Sequence, residues 1–574
     1  MPARAHVVLT LALLVAATAP AQKARKETAT RVPPPRPVLI ENGRVQGFLT
    51  PNAQVVAYKG IPYAQPPIDE LRWQPPVPLA GKWKRTLIAR DFGPHCIQSG
   101  GWPDMVFRDP GPSEDCLTLN VWAPAATAAA KPARKLPVMV WIYGGYFFAG
   151  GTSEARQDGE ALARRGVIVV SMNYRLGIFG FLSLPELTAQ SAHHTSGNYG
   201  LMDQAAALAW VHRNIAAFGG DPANVTIFGE DAGSESVSVQ MASPLSNTLF
   251  VRAIGQSGAA FPAAGHIMPN LTQAERVNDD WATRAFGSDK LFYLRQLPAD
   301  EIVEATQSRT LPAPRFGPIV DGFFLPDYLP RIYADGKQAH IPLIAGWTAD
   351  ERHPPQPLAA DDFLSELRDS FGSHANDALK LYPIANDAEL ARSVDDFEGD
   401  RFGAYADWAW LEAHSRTGDA PVYRFRFDLP SPGDRYHAAG TAFHSDDIEY
   451  AFGMLDSRAQ MAIRPEDRAL SDLMQQYWVN FARTGDPNGP GLPPWPTYNH
   501  APSAPSVASG NANQPAGAPS QTTIANHLTG AAQPSDFPVM HLDANSTVKP
   551  DTLRPRYEFL DQFWAMQTGA APSK

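Results

Sequence analysis

The sequence predicts an α/β protein with a large, mostly parallel central sheet flanked by helices. Three observations carry that prediction. Short apolar, β-branched runs alternate with helical patterns over most of the chain, the signature of strand–helix–strand units. One segment, Val225 to Ser236 (V-T-I-F-G-E-D-A-G-S-E-S), feeds a strand pattern through a tight Gly-rich turn into a helix pattern. The chain of 574 residues, 44% hydrophobic and 19% charged, has ordinary globular composition and ample length for a large core.

The elements follow in chain order. Residues 1–21 read as a secretory signal: Arg4 supplies positive charge and Val7–Ala17 an apolar run too short to span a bilayer. Ala19-Pro20-Ala21 then supplies a small-x-small cleavage site, with Gln22 as the new N-terminus. Residues 22–36 are polar and proline-rich, a tether. A single domain is expected over 37–570. Its strands are expected at Pro137–Tyr143, Val167–Tyr174, Asn224–Gly229, Ala253–Gln256 and Pro342–Trp347. Its helices are expected at Glu160–Arg165, Leu201–Phe218, Ser471–Arg483 and Tyr557–Met566. Residues 501–536 are rich in Ala, Pro, Ser, Asn and Gly and read as a low-complexity surface insertion.

Charge and cysteine content narrow the function classes. The net charge of −11 argues against nucleic acid or an anionic membrane as partner. No later run reaches the roughly 18–20 apolar residues of a membrane span. The two cysteines, Cys96 and Cys116, are a disulfide candidate for an oxidising compartment, with two unpaired buried thiols as the alternative. An exported protein is the expectation. No cofactor or metal is implied, since two cysteines without a histidine cluster make a poor metal site. Asn270 and Asn545 begin N-x-[ST] sequons, relevant only in a glycosylating host.

The turn at Gly229–Gly233 has the layout of an α/β-hydrolase nucleophile elbow, G-x-S-x-G, with Asp231 in place of the serine. In such proteins the acid and then the histidine follow along the chain. Glu351 lies just past the strand Pro342–Trp347, where open α/β sheets place their sites. His444 follows in A-F-H-S-D-D-I-E-Y, before a helical run. An oxyanion hole needs backbone N–H groups from the residue after the elbow and from a glycine-rich loop. Ala232 and the loop Trp141–Gly151 (W-I-Y-G-G-Y-F-F-A-G-G) meet that need.

The chain resembles the type-B carboxylesterase/lipase family, the group that includes cholinesterases. The resemblance rests on G-I-P-Y-A-Q-P-P at Gly60–Pro67, E-D-C-L-T-L-N-V-W-A-P at Glu114–Pro124 and N-Y-R-L-G-I-F-G-F-L at Asn173–Leu182. It rests also on G-N-Y-G-L-M-D-Q-A-A-A-L-A-W-V at Gly197–Val211, G-Q-S-G at Gly255–Gly258 and F-A-R-T-G-D-P-N at Phe481–Asn488. It implies one large α/β-hydrolase domain, an exported carboxylic-ester hydrolase with a buried gorge, and a Cys96–Cys116 disulfide. By position it implies Glu351 as acid, His444 as histidine, and Gly145, Tyr146 and Ala232 as oxyanion donors. It implies a small-molecule ester or related apolar ligand, and leaves the oligomeric state open.

Two positions depart from the family pattern. Asp231 stands where the family has its nucleophilic serine, and Tyr146 where it has the last glycine of the oxyanion loop. Three readings of Asp231 stay open. It can be a nucleophile, as in haloalkane dehalogenases and epoxide hydrolases, whose elbow aspartate attacks sp³ carbon. It can pair with His444 in a catalytically silent site. Or residual esterase activity can run with His444 activating water. Glu230 reads as a buried structural acid, Ser234 and Ser236 as ordinary helix serines, and Ser257 as a supporting residue. The cation-binding tryptophan of cholinesterases is not carried over to Trp102.

Overall fold

Runs of apolar residues bounded by turn residues build the central sheet. The computed structural model describes residues 35–126, 135–263, 267–353, 356–437, 439–498 and 537–564. Among them the sheet has eleven strands. In chain order they are β1 (Phe48–Leu49), β2 (Val55–Pro62), β3 (Thr118–Pro124), β4 (Leu136–Ile142), β5 (Ile168–Met172) and β6 (Gly220–Glu230), then β7 (Arg252–Gln256), β8 (Leu343–Thr348), β9 (Val422–Phe427), β10 (Pro538–Leu542) and β11 (Thr547–Pro550). Their spatial order is β11-β10-β9-β8-β7-β6-β4-β5-β3-β2-β1. Pairing is parallel from β10 through β5 and antiparallel at both edges. The expected mostly parallel sheet with flanking helices is therefore present.

The central strands read as continuous apolar runs because both faces are covered. All of β5, β8 and, from Pro137 on, β4 is buried. The helices that bear on the site are α1 (Tyr199–Asn214), α2 (Ala232–Ala242), α3 (Tyr405–Thr417), α4 (Ile448–Phe452), α5 (Pro465–Thr484) and α6 (Arg554–Trp564). Helices α2 and α5 both pack on β4. The expected strands and helices are found, with ends shifted by a few residues. The helix expected over Leu201–Phe218 divides into α1 and a 3-10 turn at Ile215–Phe218.

Some expectations fall elsewhere. The signal segment 1–21 and the insertion 501–536 lie outside the described residues. So does most of the tether 22–36, but its last residues contact the fold: Gln46 Nε2 donates to the Pro35 carbonyl at 2.8 Å. Cys96 and Cys116 form a disulfide, excluding the two-free-thiol alternative. The bridge closes a loop of 20 residues, worth about 3 kcal/mol in the chain-entropy model.

Parallel strands place their carboxyl ends on one edge, and the elbow uses that edge. Strand β6 ends at Glu230 and α2 begins at Ala232, so Asp231 alone turns the chain. The turn draws α2 against the end of β4. A Cβ added at Gly233 would lie 2.0 Å from the Ile142 carbonyl oxygen and 2.8 Å from its carbon. Neither backbone atom can retreat without breaking the sheet. Gly233→Ala should therefore cost about 3 kcal/mol, as overpacking of a rigid site does. A urea unfolding midpoint equal to the parent's would contradict this close approach.

Candidate active site

The elbow residue Asp231 has φ 51° and ψ −125°, a conformation that non-glycine residues adopt at a cost of about 1–3 kcal/mol. Two backbone bonds hold it there. Its N–H donates to the Gln256 carbonyl at 3.0 Å, and its carbonyl accepts the Glu235 N–H at 2.8 Å. The side chain is thereby presented above the sheet edge.

The glycine-rich loop after β4 meets that side chain. Gly145 has φ 112°, and a Cβ there would lie 2.2 Å from the Ala149 carbonyl oxygen. Only glycine makes this bend. It turns two consecutive N–H groups inward: Gly145 donates to Asp231 Oδ2 at 2.7 Å and Tyr146 donates to the same oxygen at 2.9 Å. The Asp231 side chain does not cap the helix that begins at Ala232, though the Ala232 N–H also favours the carboxylate charge. Two of the three residues expected to form an oxyanion hole, Gly145 and Tyr146, thus grip one aspartate.

Tyr146 keeps its donor by adopting φ 57°, the left-handed region. Its side chain fills space that a glycine would leave open. The ring packs against Phe402 (5.8 Å between centroids), Phe148 (6.3 Å) and Trp102 (6.4 Å).

The predicted acid and histidine are brought to the same place. His444 Nδ1 lies 2.6 Å from Glu351 Oε2. The other Glu351 oxygen accepts the Thr348 N–H at 2.7 Å and the Thr348 hydroxyl at 3.0 Å, which fixes the carboxylate. A parallel bridge between Asp350 and Phe443 sets the two segments side by side. His444 Nε2 is 3.7 Å from Asp231 Oδ1, and the Phe402 ring stands edge-on to the imidazole at 4.8 Å.

Glu230, read from sequence as a structural acid, is buried but also faces the histidine. Its Oε1 lies 3.3 Å from His444 Nε2, nearer than Asp231, and it accepts the Ser445 hydroxyl. Ser234 and Ser236 are buried in α2, and Ser236 donates to the Ala232 carbonyl at 2.8 Å. Ser257 sits at φ 52° with its N–H on the Gly346 carbonyl, a supporting position.

The electrostatics follow from packing several carboxyls around one imidazole. Burial pushes Glu230 up to about 8, with Asp231 adding to the rise and His444 and the Ser445 hydroxyl opposing it. Burial pushes Glu235 up to about 7, with Arg315 opposing. Burial opposes the Asp231 charge too, but the His444 side chain and the Ala232 and Tyr146 N–H groups prevail and hold it below the usual aspartate value. For His444, burial opposes the charge, yet Glu230 and Glu351, with Asp231 at 3.7 Å and the bond to Glu351, hold it well above the usual histidine value. These directions favour an imidazolium paired with a carboxylate. A protonated imidazole does not accept a proton, so such a pair would lack a ready general base.

Beside the site lies a cavity of about 440 Å³ with Tyr146 and Phe402 in its wall, together with Glu235, Arg315, Arg352 and Arg401. Sequence reasoning missed these four. They come from distant segments, and the only local signal was Glu235, one helical turn after Asp231. Trp102 lies 43% exposed against Phe148 and Tyr146.

Comparison with known proteins agrees with this architecture. Residues 34–522 match the model of the carboxylesterase family. The chain is 35% identical to the fumonisin B1 esterase of Sphingopyxis macrogoltabida over 488 residues, covering 80% of this chain and 84% of the relative. It is 34% identical to the para-nitrobenzyl esterase of Bacillus subtilis (strain 168), covering 80% and 92%. Among solved structures, a PNB esterase superposes with TM-score 0.73 at 31% identity, covering 92% of this chain and 99% of that one. A Geobacillus stearothermophilus carboxylesterase superposes with TM-score 0.73 at 30% identity, covering 91% and 99%. The chain belongs to the carboxylesterase family.

The charge pairing makes a pH prediction. The raised His444 pKa contributes stability fully present below the unfolded histidine value of about 6.5 and lost as pH rises through the folded value. The lowered Asp231 pKa contributes stability present above about 3.9 and lost as pH falls through its folded value. Asp231→Asn should lower the His444 pKa in an NMR titration of the ring protons and move the alkaline loss of stability to lower pH. Superimposable titrations of parent and variant would refute the pairing.

Proposed function

We propose that this chain is a carboxylic-ester-hydrolase-like protein that receives small-molecule esters or related apolar ligands, and that Asp231 keeps acyl transfer suppressed in the resting state. The observation that carries the reading is the seat of Asp231 Oδ2 on the Gly145 and Tyr146 N–H groups. A substrate carbonyl needs those donors when it becomes an oxyanion. To use them it must displace a carboxylate held by two charge-assisted bonds, each worth about 1.5–3 kcal/mol. Two such bonds correspond to a rate factor of about 10²–10⁴. The nearby negative charge also repels the developing oxyanion.

Glu351, Thr348 and His444 would serve as the acid, its anchor and the proton-handling base once that charge is removed. Asp231→Ser supplies a neutral hydroxyl and empties the donors. Its kcat/KM for p-nitrophenyl butyrate should exceed the parent's by about 10²–10⁴-fold. A parent enzyme as active as the variant, and silenced by Asp231→Ala, would overturn the proposal and make Asp231 a working nucleophile.

One observation favours a second reading. Only Oδ2 is held by the loop; Oδ1 faces His444 at 3.7 Å. Attack of Oδ1 on an alkyl halide or epoxide carbon would expel halide or open the ring. The ester carbonyl so formed would keep Oδ2 among the N–H donors; the His444 imidazolium would give its proton to the opening epoxide oxygen, or to solvent once halide has left and the Asp231 charge is gone, and the neutral imidazole would then deprotonate the hydrolytic water. Release of halide from a 1-haloalkane, or of diol from styrene oxide, abolished in Asp231→Asn, supports this reading. No turnover of either leaves the first.

Export is part of the proposal, supported by the Arg4, Val7–Ala17 and Ala19-Pro20-Ala21 pattern and by the Cys96–Cys116 disulfide. The mature chain should begin at Gln22 by intact mass. A full-length mass in the exported fraction would refute this cleavage.

A further inference from the structure

The overall chain is acidic, yet the cavity beside Asp231 carries arginines. Three of them line it: Arg315, Arg352 and Arg401. Arg401 is already engaged by Glu366 and Glu398. The other two are not fully matched. The guanidinium of Arg315 lies 5.4 Å from the Tyr146 ring centre, and its nearest carboxylate oxygen, on Glu235, is 3.8 Å away, beyond hydrogen-bond distance. The guanidinium of Arg352 lies 5.1 Å from the Phe402 ring centre, and among the described residues it has no carboxylate partner. Stacking on a ring orients a guanidinium while leaving its N–H groups free to bind an anion.

Both guanidiniums sit on one aromatic pair: Arg315 on the Tyr146 ring and Arg352 on the Phe402 ring, whose centres are 5.8 Å apart. Tyr146 joins two features: its N–H holds Asp231, and it lines the cavity that the arginines share. A ligand that reached the elbow would pass an aromatic wall of Tyr146 and Phe402 with a cation on each ring. That arrangement suits a molecule with an apolar body and one anionic end.

We propose that Arg315 and Arg352 form a carboxylate-recognition pair at the cavity, so that the preferred ligands are small apolar molecules bearing a free carboxylate, such as half-esters of dicarboxylic acids. The proposal rests on the reading that this cavity receives the ligand. Carboxylate suits the site because the planar fork of a guanidinium matches it in two parallel bonds. Glu235 near Arg315 acts as the internal competitor that an incoming carboxylate displaces.

The test is calorimetric titration of the full chain with 4-phenylbutyrate and with its neutral isostere 4-phenylbutanamide. The acid should bind about tenfold more tightly, the equivalent of one well-formed charge-assisted contact. Arg315→Met and Arg352→Met should each lower affinity for the acid about three- to tenfold and leave the amide unchanged. Arg352→Lys, which keeps the charge without the fork, should fall between parent and Arg352→Met. Melting curves matching the parent would certify that these exposed substitutions leave the fold intact. Equal binding of acid and amide would overturn the carboxylate pair while leaving the cavity as a ligand site. Binding of neither would overturn both the pair and the cavity reading. Tighter binding of 2-phenylethylphosphonate than of the acid would reassign the site to phosphate-type anions.

Discussion

At Asp231 the chain leaves a central parallel strand and enters a helix within one residue, and the surrounding backbone leaves it no other path. The peptide N–H and C=O of Asp231 are both committed to backbone partners, Gln256 and Glu235. Helix α2 presses on the end of β4 through Gly233 with no room for a methyl group. The side chain at the elbow is therefore aimed by the fold and not by its own chemistry. Whatever residue stands there points at the Gly145–Tyr146 loop. With an aspartate, one carboxylate oxygen lands on donors arranged for an oxyanion, because a carboxylate offers the same charge and a similar reach.

Asp231 and Tyr146 are coupled through that contact. A tyrosine in the left-handed region costs about 1–3 kcal/mol more than a glycine. Its N–H at 2.9 Å from Asp231 Oδ2 is a charge-assisted bond of comparable strength, which offsets the strain. With a neutral elbow residue, the same loop conformation would lose that support. The imidazole joins the balance from the other side. Buried carboxyls of Glu230, Asp231 and Glu351 surround His444, and one imidazolium is what allows them to share so little solvent. Glu230 and Asp231 differ in environment: Glu230 meets the Ser445 hydroxyl and the imidazole, and Asp231 meets backbone donors, so burial raises the first while the second is held low.

Much of this was legible in the sequence, and the gaps have physical causes. Strands β4, β5 and β8 announce themselves as unbroken apolar runs because both faces are buried. Strand β9, V-Y-R-F-R-F, escaped notice because two arginines interrupt it. Arg424 is nonetheless buried, paired with Asp551 and stacked 4.5 Å from the Trp347 ring centre, and that partner lies far along the chain. The edge strands β1 and β11 are short and half exposed, so they carry little pattern. At the site, chain order alone indicated Asp231, Glu351 and His444, and the structure gathers them. It could not indicate that Oδ2 would fill the hole, since that depends on a distance between two loops. Nor could it indicate Arg315 and Arg352, which no motif joins to the elbow.

A site tuned to a transition state would behave differently if its own side chain resembled that state. Preorganised N–H donors speed a reaction because they meet their charge only when it develops. Placing a permanent charge among them converts the same stabilisation into a property of the resting protein. On the proposed reading, the donors would strengthen the fold around Asp231 and Tyr146 instead of lowering a barrier. The imidazole, drawn into the ion pair, would lose the neutral form that a base requires. Each part of the machinery keeps its place: the acid on Thr348, the histidine on the acid, the donors on an oxygen. On that reading what differs is which molecule supplies that oxygen, and the difference would follow from one carboxylate in a position the backbone does not let it leave.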